Sequence, residues 1–280
     1  MLGFALHKLS AHLMEKIGLI AGNRRLPILF SQAAKRKNCY IVAVAVKGDT
    51  CAQLKSFVDK LYWIDLDGFS RLYEIFKKEG ITKVVMAGQI SPHRLFSKQI
   101  EKNEEIKSLL SSIKDKRADT IFTAVAQKLK ESGFELLDST TFIEDLLPKK
   151  GTLTKREPPF CVWEDIYFGF DLAKEVAFLG IGQTVAVKDK AIVAVEALEG
   201  TDNLIRRAGK IARGGFTLVK VSKPNQDKRF DIPVVGLNTI KNLAKQKATC
   251  LAIEAAKTIF IDKEPSIDLA ERKGILVVAV

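Results

Sequence analysis

A chain of 280 residues is long for a single hydrophobic core and favours two domains. With 47% apolar and 28% charged residues it is neither disordered nor fibrous. Forty-five basic against 33 acidic residues leave a net charge of +12, which draws anionic partners. Nucleic acid is set aside among these, because aromatics are not interleaved with the basic clusters and no helix-turn-helix or zinc-finger pattern occurs. Cys39, Cys51, Cys161 and Cys250 form no CxxC, so buried free thiols in a reducing, cytoplasmic compartment are expected. No apolar run reaches the length of a membrane span.

The first fifteen residues carry Leu2, Leu6, Leu9 and Leu13 but no continuous apolar stretch of the signal-peptide kind. They read as an extension: a short amphipathic surface helix, a frayed terminus or the product of an upstream start codon. Strand begins at Lys16–Ala21, turns through Gly22-Asn23-Arg24-Arg25, and gives way to a helix from Pro27 to about Lys37, with proline suited to the first turn. Apolar runs at Tyr40–Val46, Leu61–Asp65 and Lys83–Ala87 predict further strands, with a helix over Phe69–Lys78 between the last two. Alternating strand and helix implies a parallel, doubly wound sheet, whose ligands bind at the carboxyl ends of the strands. Gly22, Asn23, Gly88 and Gln89 therefore share one candidate rim. The first turn is not GxGxxG, since Arg24 occupies the place of a second loop glycine. A tight strand-to-helix turn explains it as well as a ligand loop does.

Lys116–Ser132 has a helical apolar stripe, with Asp119 near its start, where a carboxylate complements the helix dipole. A strand at FELLD and a helix over Thr141–Leu147 lead to Pro148-Lys149-Lys150-Gly151 and the linker-like Lys155–Pro159. The division is thus an extension at 1–15, a Rossmann-like domain at 16–154 and an α+β catalytic domain at 155–280. Phe160, Trp163, Tyr167, Phe168 and Phe170 follow the linker and suit core packing better than a lipid cleft.

Ile181–Val187 and Ala191–Ala197 form a hairpin about Lys188-Asp189-Lys190. Glu196 stands inside an apolar strand and requires a partner or a metal. Glu199-Gly200-Thr201-Asp202 opens a helix, with Thr201 or Asp202 as N-cap and a glycine turn of the phosphate-seating kind. Gln183 and Thr184 lie on the partner strand. Strands at Leu218–Val221 and Val234–Val235, a helix over Thr239–Gln246, another at Thr258–Phe260 or Pro265–Lys273, and a last strand at Ile275–Val280 complete the α+β half.

Between those strands lie Lys220, Lys223, Asp227, Arg229 and Asp231. If the stretch is extended, as Pro233 favours, Asp227, Arg229 and Asp231 project from one face. Two carboxylates and a guanidinium can hold a divalent metal and an anionic ligand together. A solvated hairpin end with mutual ion pairs explains the same composition.

The chain resembles the UDP-2,3-diacylglucosamine pyrophosphatases of lipid A synthesis, the type unrelated to metallophosphoesterases. The resemblance rests on GLIAGNRRLP (18–27), VVMAGQISP (84–92), RADTIF (117–122), GQTVAV (182–187), AVEALEGTDNLIRRAG (194–209) and VKVSKPNQDKRFDIPVVGLNTI (219–240). It implies Mg²⁺-dependent hydrolysis of UDP-2,3-diacylglucosamine to UMP and 2,3-diacylglucosamine 1-phosphate. It also implies a homodimer working peripherally at the cytoplasmic face of the inner membrane. Asp227 would be the main metal ligand or water-positioning group, with Asp231 or Glu196 as second carboxylate. Lys220, Lys223 and Arg229 would stabilise phosphoryl charge, and Glu199, Gly200, Thr201 and Asp202 would seat phosphate or sugar. Arg24 departs from a glycine common in the family's first turn. Two other readings compete: a nucleotide- or dinucleotide-dependent oxidoreductase, and a non-catalytic protein binding anionic lipid by charge.

Overall fold

The computed structural model describes residues 14–65, 68–90, 108, 111, 113–115 and 117–280, with the backbone alone for 69, 118 and 119. Strands β1 (Lys16–Ala21), β2 (Tyr40–Val46), β3 (Lys60–Ile64), β4 (Lys83–Ala87) and β5 (Glu135–Leu136) form an all-parallel sheet in the order β3-β2-β1-β4-β5. Their near-continuous apolar sequence follows from burial on both faces. Helix α1 (Leu26–Arg36) covers one face, where Phe30 packs with Ile17, Leu19 and Ile41. Helices α2 (Phe69–Lys78) and α3 (Ala118–Glu131) cover the other, where Phe76 and Leu129 meet Ile20, Val42 and Val44. Strand order reverses direction between β1 and β4, which makes their carboxyl ends the switch point of the sheet.

The second sheet contains β6 (Gly151–Thr152), β7 (Thr184–Lys188), β8 (Ala191–Val195), β9 (Thr217–Lys220), β11 (Cys250–Ile253) and β13 (Leu276–Ala279), in the order β6-β13-β11-β9-β7-β8. Its central strands β13, β11 and β9 are parallel, while β6, β7 and β8 join antiparallel. Strands β10 (Val234–Val235) and β12 (Ile259–Phe260) pair separately. Helix α4 (Phe160–Phe178) packs on one face, and α5 (Thr201–Ala212), α6 (Leu237–Lys245) and α7 (Lys263–Lys273) pack on the other. The chain is therefore a Rossmann-like parallel domain followed by an α+β domain. Gly151 and Thr152 already belong to the second sheet, ahead of the boundary expected at Lys155.

Several local expectations change. The helix expected over Thr141–Leu147 is only a short 3-10 turn at Glu144–Leu146, because Phe142 takes φ 70° and breaks the helical path. Ile259–Phe260 is strand, and Lys263–Lys273 is the helix. Of the cysteines, Cys39 and Cys250 are buried, whereas Cys51 and Cys161 are exposed. The aromatic cluster is not core. Helix α4 meets the sheet through Val162, Ile166, Gly169, Ala173 and Ala177, one stripe at helical spacing. That stripe rotates Phe160 (79% exposed), Tyr167, Phe168 and Phe178 outward, leaving only Trp163 and Phe170 to pack. Among the described residues no helix is long and apolar enough to cross a membrane.

The segment after β9 leaves its own sheet and enters the other domain. Phe230 is 3% exposed and packs in the N-terminal core beside Ile20, Val84 and Met86, stacked 5.5 Å from Phe122. Ile232, Val234, Ile259 and Ile261 pack against the opposite face of that core. The two domains thus share apolar residues along this loop. Phe230→Ala should cost about 3–5 kcal/mol of stability, the range for deleting a buried phenyl ring. Urea denaturation tests this, and a change below about 1 kcal/mol would show that the ring does not support the N-terminal core.

Candidate active site

The amino end of β7, the carboxyl end of β9, the exit from β8 and the start of α5 enclose a linked set of polar side chains. Lys220, the last residue of β9, is 6% exposed. Its Nζ donates to Thr184 Oγ1 (3.2 Å) and Thr201 Oγ1 (2.9 Å) and lies 3.8 Å from Glu196 Oε2. Thr201 Oγ1 in turn donates to Glu196 Oε1 at 2.7 Å. The buried Glu196 therefore finds its partner in a buried lysine. Gly182 makes the corner possible, because a Cβ there would sit 2.1 Å from the Glu196 carbonyl oxygen. The next residue, Gln183, donates from its main chain to Glu196 Oε2 (3.4 Å) and from Nε2 to Asp231 Oδ2 (3.2 Å). Asp231 also accepts from Lys223 Nζ at 2.5 Å. One network thus joins Glu196, Thr201, Thr184, Lys220, Gln183, Asp231 and Lys223.

Asp227 and Arg229 occupy the neighbouring turn. The Asp227 carboxylate accepts from the Arg229 main-chain N–H (3.0 Å), Nε (2.9 Å) and Nη2 (2.7 Å). A carboxylate bonded to the amide two residues ahead makes a local turn. The expectation of an extended strand presenting Asp227, Arg229 and Asp231 on one face is therefore corrected. Asp231 itself takes φ 54°, in the left-handed region. The Arg229 hydrogen bonds hold the Asp227 carboxyl below the usual carboxylate range against partial burial, and they raise Arg229. Gln226, absent from the sequence expectations, steadies the turn by donating to the carbonyls of Asp227 (3.3 Å) and Phe230 (3.1 Å).

Across the interface, the N-terminal rim forms as expected. Gly22 N–H donates to the Ala87 carbonyl (2.8 Å) and Asn23 N–H to the Gln89 carbonyl (2.7 Å). The two turns interlock so closely that a Cβ on Gly22 would meet Gln89 main chain at 2.7 Å. Gly88 takes φ +85° and allows Asn23 O within 2.6 Å of its own missing Cβ. Ser139 ties this rim to the loop. Its Oγ lies 2.7 Å from the Met86 carbonyl and 2.6 Å from that of Arg229, while its N–H donates to the Lys228 carbonyl at 2.8 Å. Nothing in its local sequence marks Ser139 for this role.

Gly200, with φ 77°, is the N-cap of α5, so Thr201 and Asp202 do not cap it as expected. Thr201 is instead committed to Glu196 and Lys220. Asp202 faces the other domain, accepting from Arg24 Nη2 (3.0 Å), Asn238 Nδ2 (3.2 Å) and Asn242 Nδ2 (2.8 Å). Arg25 makes a second interdomain pair with Asp262 at 2.7 Å. Glu199 is exposed and paired with Arg207 at 2.6 Å. Burial works against its charge, but Arg207 and main-chain donors keep its pKa low. It does not join the central network. The Asp119 side chain lies outside the described residues.

Each of the three carboxylates expected to share a metal is engaged by a cation, Glu196 by Lys220, Asp227 by Arg229 and Asp231 by Lys223, while Gln183 bridges Glu196 and Asp231. Among the described residues no group of three His, Cys, Asp or Glu side chains is placed to hold a metal ion. This donor set fits Mg²⁺ only in its looser mode, one or two carboxylates completed by substrate phosphate oxygens.

Known proteins place the chain in a family. The LpxI N-terminal domain profile matches residues 16–146, and the LpxI C-terminal domain profile matches residues 149–278. The chain belongs to the LpxI family. The UDP-2,3-diacylglucosamine pyrophosphatase LpxI of Caulobacter vibrioides is 28% identical over 283 residues, covering 95% of this chain and 98% of that protein. Among solved structures, the biotin carboxylase domain of Hydrogenobacter thermophilus 2-oxoglutarate carboxylase aligns at 15% identity and TM-score 0.26, over 72% of this chain and 42% of the other. N5-carboxyaminoimidazole ribonucleotide synthetase from Thermotoga maritima aligns at 14% identity and TM-score 0.24, over 67% and 43%. At those scores neither likeness bears on the LpxI fold or its chemistry.

Two outcomes follow from the pairings in this LpxI chain. Glu196→Ala leaves Lys220 buried without its carboxylate and should cost about 3–5 kcal/mol, much of it recovered when Lys220→Met is added. A urea double-mutant cycle measures this, and simple additivity would rule out the pairing. The lowered pKa of Asp227 means its pair stabilises the fold above the unfolded value of about 3.9 and is lost as pH falls through the lower folded value. The stability gap between the parent and Asp227→Asn should therefore narrow below about pH 4. A gap that widened on acidification would reverse the assignment.

Proposed function

We propose that this chain hydrolyses the pyrophosphate of UDP-2,3-diacylglucosamine to UMP and 2,3-diacylglucosamine 1-phosphate, with Mg²⁺, in lipid A biosynthesis. The observation that carries this reading is the end-to-end match to a pyrophosphatase of that substrate, through both domains. The clustering of Lys220, Lys223 and Arg229 with three carboxylates at the domain junction supports it.

Water attacks one phosphorus, the bond from that phosphorus to the bridging oxygen breaks, and the two phosphate monoesters leave. The protein's task is to neutralise charge spreading over the phosphoryl oxygens and to position the water. Lys223 and Arg229 are paired to Asp231 and Asp227. Pyrophosphate oxygens compete for the same cations, and each cation that turns to phosphate frees a carboxylate. Asp227 is then available to orient water or to bind metal, with Asp231 or Glu196 as the second carboxylate. Bound Mg²⁺ would supply charge neutralisation on the phosphoryl oxygens and a more acidic water. Lys220, with Thr184, Thr201 and Gln183, forms the floor beneath the phosphates. Gly22, Asn23, Gly88 and Gln89 offer main chain from the opposite rim, and Asp202, Gly200 and Glu199 border the sugar side.

The reading includes work as a homodimer at the cytoplasmic face of the inner membrane, where the acylated substrate resides. A net charge of +12 suits an anionic leaflet, and the exposed aromatics of α4 suit apolar contact. Asp227→Ala should lower turnover by about a thousandfold with the fold retained, comparable to losing a strong electrostatic stabiliser. UMP release from UDP-2,3-diacylglucosamine, with Mg²⁺ or with chelator, measures both claims. Near-normal turnover of the variant removes Asp227 from the reaction, and activity undiminished by chelator removes the metal.

A further inference from the structure

Glu254 follows the last residue of β11, beside the end of β9, and is 6% exposed. Its carboxylate accepts five hydrogen bonds. Lys174 Nζ reaches both oxygens (2.9 and 2.7 Å), Lys257 Nζ reaches Oε1 (2.9 Å), and the N–H and hydroxyl of Ser222 each reach Oε2 (2.8 Å). Lys174 also donates to the Ser222 carbonyl at 2.9 Å. The main-chain N–H, the hydroxyl and the carbonyl of fully buried Ser222 thus all end on the Glu254–Lys174 pair. Glu254 N–H donates in turn to the Lys220 carbonyl at 3.2 Å. Lys220 and Lys223 flank this fixed point, two residues before Ser222 and one after.

The Glu254 carboxylate is taken up by Lys174, Lys257 and Ser222, and Glu254 meets Lys220 through the main chain. A buried ion pair contributes little net stability compared with apolar packing, so its effect here is geometric. We propose that Glu254, held by Lys174, is a positioning residue that fixes the root of the 223–233 loop and so sets where Lys220 and Lys223 meet the pyrophosphate. The kinetic part of this proposal rests on the hydrolase reading above. The structural part does not.

The test compares Glu254→Gln, Lys174→Met and Lys174→Arg with the parent chain, by UMP release and by amide hydrogen exchange over residues 221–233. Glu254→Gln and Lys174→Met should each lower kcat/KM about a hundredfold, as small misplacements of reacting groups do. Both should speed exchange across the loop while leaving exchange in the N-terminal sheet unchanged. The double variant should be no worse than either single one, because the pair acts as a unit. Lys174→Arg, which keeps the charge and the donors, should restore most of the lost activity and the slow exchange. Activity lost only in proportion to the unfolded fraction, or loop exchange unaltered in both variants, overturns the proposal. Should the parent release no UMP, the hydrolase reading fails, and loop exchange alone still decides whether Glu254 and Lys174 hold the loop.

Discussion

A charged loop has to cross from one hydrophobic core to another, and the rest of the site depends on how it does so. Residues 222–233 leave the second sheet, bury Phe230 among the aliphatic side chains of the first, and return by way of Pro233, whose carbonyl accepts from Ile259 N–H at 2.9 Å. Unpaired charge does not survive such a path at acceptable cost. Four cations near the junction therefore carry their own counter-charge: Lys223 with Asp231, Arg229 with Asp227, Lys220 with Glu196 and Lys174 with Glu254. The pairing allows the loop to be partly buried while keeping its cations along the domain junction. Pairs of this kind add little net stability compared with apolar packing, yet breaking one leaves an uncompensated charge.

The parallel sheet was legible because strands covered on both faces have little choice but continuous apolar sequence, as in YIVAVAV and KVVMA. The Gly22 and Gly88 rim was legible for a related reason. Two strands flanking a switch point end side by side, and glycines there permit main chain to approach main chain. The charged loop was legible in composition and illegible in shape. Period-two reasoning assigns side chains to faces only when the backbone is extended, and the Asp227 carboxylate redirects the chain by binding the Arg229 amide. The α4 aromatics misled in another way. A helix on a sheet turns its smaller residues inward where the approach is close, so the largest side chains of an apolar helix can be the most exposed. Ser139, Gln226 and Glu254 left no local trace, because each acts through a partner distant in sequence or through a carbonyl that any residue offers.

The interface between the domains has two sides of unequal strength. On the loop side, Phe230, Ile232, Val234 and Ile259 are packed into the N-terminal core, so separation there exposes apolar surface and costs heavily. On the rim side, Arg24–Asp202 and Arg25–Asp262 join arginines that are more than half exposed, and pairs in water contribute little. The Asn238 and Asn242 amides can keep Asp202 solvated and hydrogen-bonded even without Arg24. The rim side is therefore the weaker of the two. The anchors near Lys220 and Lys223, namely Thr184, Thr201 and the Glu254–Ser222 contacts, all lie within the second domain. The local geometry of Lys220 therefore rests on contacts inside its own domain, whereas the rim side is joined across the interface by two solvent-screened ion pairs.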